Sequence, residues 1–406
     1  MRTDGRARRG RTIARLACLA LALPSVAPLA AERPAASFEA FVASLRPEAE
    51  RRGVPPALFD ATFAGMTPDP GVAAMTRKQP EFVKPIGAYL AAQVTPARIA
   101  RGRALAARWH AELAAIAQRY KVPPSIVVAV WGLETNYGAA TGDKDVIRSL
   151  ATLGAMNYRP ELYRAESLAA LDMLKTGDVP RERLRGSWAG AMGQPQFMPS
   201  SFEKYAVDGD GDGRRDIWTD VPDALASIAN FIRAQGWQPG RPWGFEVSLP
   251  RGFDHRVSRA DARTWASLGV KRADGAPLEA EGELILFFPA GAAGPAFLVT
   301  ENFEVLKTYN FSDAYVLSVA QLADRMEGGS RIAAPWPNNA PMSRDERIAL
   351  QVRLVALGYP VDNREGRISL ALRDTIRAAQ SSVGMIPDGD PTTALLQALR
   401  TATPRP

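Results

Sequence analysis

The stretch AVWGLETNYG, residues 129–138, carries a single ionisable residue, Glu134, among apolar neighbours. Pro123 and Pro124 suit a first helical turn and Gly138 suits a left-handed cap, so the spacing predicts a short helix between them. On that helix Glu134 shares a face with Val127, Val130 and Trp131, seven, four and three residues back. Desolvation and the negative end of the helix dipole both disfavour a charged carboxylate there, which predicts a raised pKa. A carboxylic acid kept protonated near neutral pH is what general-acid cleavage of a glycosidic bond requires. A solvated Glu at the edge of an amphipathic helix is the alternative that this stretch alone leaves open.

Two further stretches bear on the choice. GSWAGAMGQPQFMPSS, residues 186–201, combines glycines and alanines that permit close backbone approach with Ser187 and Gln196 as hydrogen-bonding groups. Trp188, Met192, Phe197 and Met198 supply apolar wall, and a groove of this make-up suits a sugar, apolar on its faces and polar at its rim. The competing expectation is a packed interior turn leading into a helix capped by Ser200 and Glu203. DGDGDGRRDIW then places Asp208, Asp210 and Asp212 at alternate positions, with Gly213 at a sharp turn and the carbonyl of Arg214 next. This is the first half of a helix–loop–helix calcium loop. The twelfth position is Thr219 and not a bidentate Glu, so Asp220 or Asp223 must supply the closing oxygens.

The elements that must hold these residues read as mainly α, an α+β chain. Residues 32–118 are helical and Ala-rich, with SFEAFVASLRPEAERRG opening on a capping serine and TPARIARGRALAARWHAELAAIAQRY reading as one long helix after Pro96. Residues 119–240 hold the three stretches on short helices divided by glycine-rich loops. In 241–330, GFEVSLP, ELILFFPA and AFLVTENFEVL predict a small sheet, followed by a helix at SDAYVLSVAQLADRM. Residues 331–342 have linker composition. Residues 343–406 read as a separate three-helix module, with a Ser343–Glu346 capping box, stops at Gly358 and Gly384, and Pro391 in a first turn.

Residues 1–15 carry six of the 50 Lys+Arg and one of the 43 Asp+Glu, and an apolar run from Leu16 to Ala31 ends in small residues. That is the pattern of a secretory signal peptide, which predicts export and a periplasmic protein. Without it the remainder holds 44 basic against 42 acidic residues, a net +2, so nucleic-acid binding loses its compositional support. Cys18, the one cysteine, falls in the same segment, and an oxidising compartment is open to the rest.

WGLETNYG, GSWAGAMGQPQFMPSSFEKYAVDGDGDGRRDIW and DALASIANFIRAQGW, in this order, resemble the lytic murein transglycosylases of the membrane-bound B type over roughly residues 37–330. The resemblance implies a lysozyme-like catalytic core that cleaves peptidoglycan between N-acetylmuramic acid and N-acetylglucosamine, leaving 1,6-anhydromuramoyl ends. It implies Glu134 as the catalytic acid, Ser187, Gln196 and Phe197 in the groove, and, from YNFSDAY, Tyr309, Asn310 and Tyr315 as substrate contacts. Asp208, Asp210, Asp212, Arg214 and Asp223 would hold structural calcium, with no organic cofactor. The chain departs from the family at Arg159, followed by Pro160 where a second arginine is common, and at Phe231 where a tyrosine is common. Residues 343–400 resemble a peptidoglycan-binding domain. The competing functions are a calcium-dependent wall-binding protein without turnover and a hydrolytic muramidase; cell-wall protein partners are open.

Overall fold

The computed structural model describes residues 37–76, 84–177 and 179–403, and these form one unit. The expected signal peptide lies outside the described residues. At the centre is the helix Pro124–Thr135, in which Ile126 to Gly132 and Thr135 are all buried. The alternative of a solvated Glu on an amphipathic helix therefore does not hold, because the helix is enclosed on nearly every side. The helices Asp313–Met326, Val221–Ala234, Pro96–Arg108 and His110–Tyr120 pack around it. An apolar run such as SIVVAVW has no polar face to give to water, which is why it takes the middle position.

The predicted long helix after Pro96 is two, Pro96–Arg108 and His110–Tyr120, broken at Trp109. The break lets Ile99 and Gly102 on one piece and Leu113, Ile116 and Tyr120 on the other all reach the core. Earlier in the chain the stretch TPDPGVAAM, rich in turn residues, contains a short helix, Pro70–Met75, capped by Asp69.

The sheet is antiparallel, with strands in the order Arg259–Asp261, Glu283–Phe287, Ala296–Val299, Gly244–Ser248 and Lys271–Arg272. Ile285, Phe287, Phe297 and Val299 face the helical core, while Leu284, Leu286 and Leu298 face a second cluster around Trp265. Burial on both faces explains why ELILFF reads as a continuous apolar run without alternation. The second half of AFLVTENFEVL is not strand: Thr300 caps a helix, Glu301–Lys307, by accepting the Asn302 N–H.

The last three helices, Arg344–Ala356, Leu370–Ser382 and Thr393–Arg400, enclose their own core of Leu350, Leu354, Ile376 and Leu395. The Ser343–Glu346 capping box forms as expected, whereas the third helix is capped by Thr392 with Pro391 outside it. The module is docked and not loosely tethered. Arg259 pairs with Asp374 at 2.8 Å, the Leu370 N–H donates to Glu304 at 2.7 Å, and Arg373 pairs with Asp313 at 2.8 Å. The intervening strap is also pinned, since both oxygens of Glu246 accept backbone N–H groups, from Ala333 and Ala334.

Candidate active site

The central helix ends at Thr135, and the left-handed cap is Asn136, two residues earlier than expected. Asn136, Tyr137 and Gly138 take φ of 51°, 60° and 79°, a run that bends the chain sharply away from Glu134. Such a run of non-glycine residues persists only where surroundings hold it. Here the Tyr137 hydroxyl donates to the Arg98 carbonyl at 2.8 Å, and Thr135 Oγ1 accepts the Gly138 N–H at 3.0 Å. A side chain at Gly138 would place Cβ 2.5 Å from the Gln194 amide oxygen.

Glu134 is half-buried in the last turn of this helix. The Tyr315 hydroxyl donates to its Oε1 at 2.5 Å. Tyr315 belongs to the helix Asp313–Met326, whose N-terminus is capped by Ser312. Burial, and then the negative charge of Glu134, push the Tyr315 phenol well above its ordinary range, so it stays protonated and can only donate to the carboxylate. Tyr309 is raised for the same two reasons and donates to the Pro195 carbonyl at 2.8 Å. Two phenols from one segment thus lie in the electrostatic field of one carboxylate.

The second stretch forms a tight loop closed on itself by backbone pairing of Ser187 with Ala191 and of Met192 with Phe197. Ser187 Oγ accepts the Ala191 N–H at 3.1 Å. Gln196, at φ 54°, donates through Nε2 to the Thr141 and Gly193 carbonyls, both at 3.0 Å. Thr141 lies in the loop that follows Glu134, so Gln196 stitches the two motifs together. Gly142, at φ 87°, makes the same approach possible, because a Cβ there would sit 2.3 Å from the Gly186 carbonyl oxygen.

Phe197 is not groove wall. It is 2% exposed, with ring centroids of Phe231 and Tyr309 at 5.7 and 6.2 Å, and so supports Tyr309 from behind. Ser200 and Glu203 do not cap the following helix, Pro199–Tyr205. Buried Glu166, from the helix Pro160–Thr176, accepts both the Ser200 N–H at 2.9 Å and its hydroxyl at 2.7 Å. Gln194 is the residue that sequence reasoning missed. Its amide oxygen accepts the Trp131 indole N–H at 2.8 Å, its Nε2 donates to the Trp218 carbonyl, and its carbonyl accepts Thr135 Oγ1 at 3.0 Å. One buried amide therefore joins the Glu134 helix to both other motifs; no local pattern marks it, since its partners lie 63 and 24 residues away.

Arg159, also left-handed at φ 46°, and Asn310 line a cavity of about 860 Å³ shared with the C-terminal module, whose walls do not include Glu134 or Ser187. Asn310 Oδ1 accepts the Ser312 N–H at 3.0 Å and so shapes the turn before Tyr315.

In the acidic loop, ligand oxygens of Asp208, Asp210 and Asp212 lie within 4.8 Å of one another. Oxygens across a calcium ion bound at about 2.4 Å are separated by up to about 4.8 Å, so this donor set fits a hard cation. Asp208 is held below the usual carboxylate range by the Gly213 and Gly211 N–H groups, which keeps it ionised. Asp223 stands apart from this cluster: it is buried, and its oxygens accept the Gly209 and Asp216 N–H groups at 2.7 and 2.6 Å. Asp220 caps the helix Val221–Ala234, and Thr219 bonds Asp216. The expected closing ligand is thus used to shape the loop, and Arg214 N–H is tied to Asp212 at 2.8 Å.

A family model described as "Transglycosylase SLT domain" matches residues 37–324, and one described as "Putative peptidoglycan binding domain" matches residues 343–399. The membrane-bound lytic murein transglycosylase B of Escherichia coli K12 is 34% identical over 248 residues, covering 59% of this chain and 67% of that protein. A crystal structure of SltB3 from Pseudomonas aeruginosa with NAG-NAM-pentapeptide aligns at a TM-score of 0.79 and 46% identity, over 90% of this chain and all of that one. The Escherichia coli lytic transglycosylase SLT35 in complex with calcium aligns at a TM-score of 0.59 and 27% identity, over 71% and 92% of the two chains.

Proposed function

We infer the function from lineage and site together: the chain belongs to the transglycosylase SLT family, and it is a lytic transglycosylase that cleaves peptidoglycan between N-acetylmuramic acid and N-acetylglucosamine. The observation that carries the chemistry is Glu134 half-buried at the exit of an otherwise apolar helix, with Oε1 oriented by the Tyr315 hydroxyl so that the other oxygen can carry the proton. Glu134 protonates the leaving oxygen as the general acid. Two further carboxylates of the matched motifs are engaged elsewhere: Asp216 accepts the Trp218 and Thr219 N–H groups, and Asp223 those of Gly209 and Asp216. With no second carboxylate assigned to activate water, the substrate's own N-acetyl oxygen stabilises the positive charge at the sugar carbon. Glu134, now deprotonated, takes the proton of the muramic acid C6 hydroxyl as that oxygen closes the ring. An attached acceptor can act with an effective molarity on the order of 10⁵ M or more, so it outcompetes water. The product is a 1,6-anhydromuramoyl end.

Ser187, Gln196, Arg159, Tyr309 and Asn310 are assigned to the glycan path, Tyr309 and Gln196 chiefly through the walls they hold in place. Calcium is assigned to Asp208, Asp210 and Asp212, where it would supply rigidity to one flank of the groove and no chemistry at the scissile bond. The enzyme works on the cell wall, and residues 1–31 direct it to the periplasm; among the described residues no helix is long and apolar enough to cross a membrane. The test is mass spectrometry of purified sacculi after digestion. Anhydromuramoyl ends as the main product are expected; reducing muramic acid ends would make the enzyme a hydrolytic muramidase, and no soluble product would leave a wall-binding protein.

A further inference from the structure

We propose that Arg373, in the C-terminal domain, is a positioning residue for the catalytic site: by holding Asp313 it fixes the Tyr315 hydroxyl on Glu134. This rests on the reading of Glu134 as the acid. Asp313 opens the helix that carries Tyr315, two residues before it in the same turn. Its two carboxylate oxygens are taken by two cations from different parts of the molecule. Lys307, from the catalytic region and 1% exposed, donates to Oδ1 at 2.7 Å. Arg373, 2% exposed, donates to Oδ2 at 2.8 Å. Neither cation is free to move. Lys307 also donates to the Ile368 carbonyl, and Arg373 Nη1 donates to the Phe288 and Gly389 carbonyls at 3.2 and 3.0 Å. The guanidinium further lies 4.7 Å from the centre of the Phe287 ring.

Burial would raise Asp313, but Lys307 and Arg373 outweigh it and keep the carboxylate ionised. Removing one cation from a buried triad leaves charge uncompensated, and the carboxylate then moves or admits water. Asp313 anchors the helical turn that carries Tyr315, whose bond to Glu134 spans only 2.5 Å, so loosening that anchor loosens the bond. The C-terminal domain therefore sets the geometry of the acid as well as meeting the wall.

The test compares Arg373→Gln, Arg373→Lys and Asp313→Asn in the full chain, each alone and combined with Tyr315→Phe, on short soluble glycan strands and on sacculi. Misplacement of catalytic groups by about 1 Å can lower rates up to about a hundredfold, so a kcat loss of roughly tenfold is expected for Arg373→Gln and Asp313→Asn. KM should change less than about twofold, and Arg373→Lys should restore only part of kcat, because it keeps a cation near Oδ2 but loses the guanidinium's bonds to Phe288 and Gly389 and its stack on Phe287. In the Tyr315→Phe background neither variant should lower kcat further, because the path to Glu134 is already cut. Arg259→Gln, which breaks the partly exposed pair with Asp374 at the same interface, should leave kcat unchanged. Unchanged kcat in a folded Arg373→Gln or Asp313→Asn variant overturns the proposal, as does the same fold-loss with and without Tyr315. If Arg373→Gln does not fold, Asp313→Asn decides on the same criteria. Glu134→Gln is the reference: if it turns over normally, the reading of the acid fails, whereas an inactive Glu134→Gln beside a normal Arg373→Gln refutes the positioning role alone.

Discussion

Replacing Glu134 with Gln keeps its size and an acceptor for the Tyr315 hydroxyl but removes the transferable proton. Turnover on sacculi should fall by about a hundred to ten thousand fold with an unchanged melting temperature, since general acid–base catalysis contributes in that range. Gln194 should show the reverse pattern. Gln194→Leu leaves the Trp131 indole N–H buried without its acceptor, at about 1–3 kcal/mol. Thermal melts should show that loss. The apolar run alone left a solvated Glu134 open; only the neighbouring motifs singled it out, and in the fold it is half-buried with the Tyr315 hydroxyl on it. Gln194 was not legible, because its role exists only once three distant segments meet. Phe197 was misread for a related reason: an aromatic in a glycine-rich loop can face a ligand or the interior, and only the rings of Phe231 and Tyr309 decide it.

Among the elements, the acidic loop offers the cleanest test. A cation that binds only the folded chain stabilises it by about 2.7 kcal/mol at a hundredfold excess over Kd. Calorimetry should therefore show a melting temperature that rises with calcium and falls with chelator, and an Asp210→Ala chain indifferent to both. No response in the parent chain would mean that three aspartates without a closing ligand do not hold the ion. Element types were mostly readable where a cap or an unbroken apolar run marks them, as at Ser343, Ser312 and the buried strands. Boundaries were lost where tertiary contacts overrule the local pattern. The long helix breaks at Trp109, where neither proline nor glycine stands, and the ENFEVL run turns helical behind a threonine cap.

At the scale of the whole molecule, the docked C-terminal domain changes what truncation should do. Cutting at residue 342 removes the partners of Lys307, Asp313 and Glu304, so the remaining chain should melt lower and lose kcat on soluble glycans, not merely retention on sacculi. The two-module sequence pattern could not show this, because charged residues such as Arg373 and Lys307 read as surface until their burial is known. The interface also titrates. Burial, with Asp388 and Asp313 close by, outweighs Arg373 and holds the Asp390 carboxyl up to about 7, against an ordinary 3.8. A raised folded pKa gives stability that is complete below the unfolded value and lost as pH climbs through about 7. Melting temperatures should therefore decline from about pH 4 to about pH 7 and level off above, and Asp390→Asn should flatten that decline. The bond between Tyr315 and Glu134 closes over 181 residues, and Arg103 reaches the Met326 carbonyl across 223. Contacts of that span form only after long loops have been closed, and chains beyond about 150 residues pass through partly assembled intermediates. On dilution from denaturant, helical circular dichroism should return well before turnover does. The enzyme is therefore inert through most of its own folding, and becomes able to cut glycan only when its two distant halves have met.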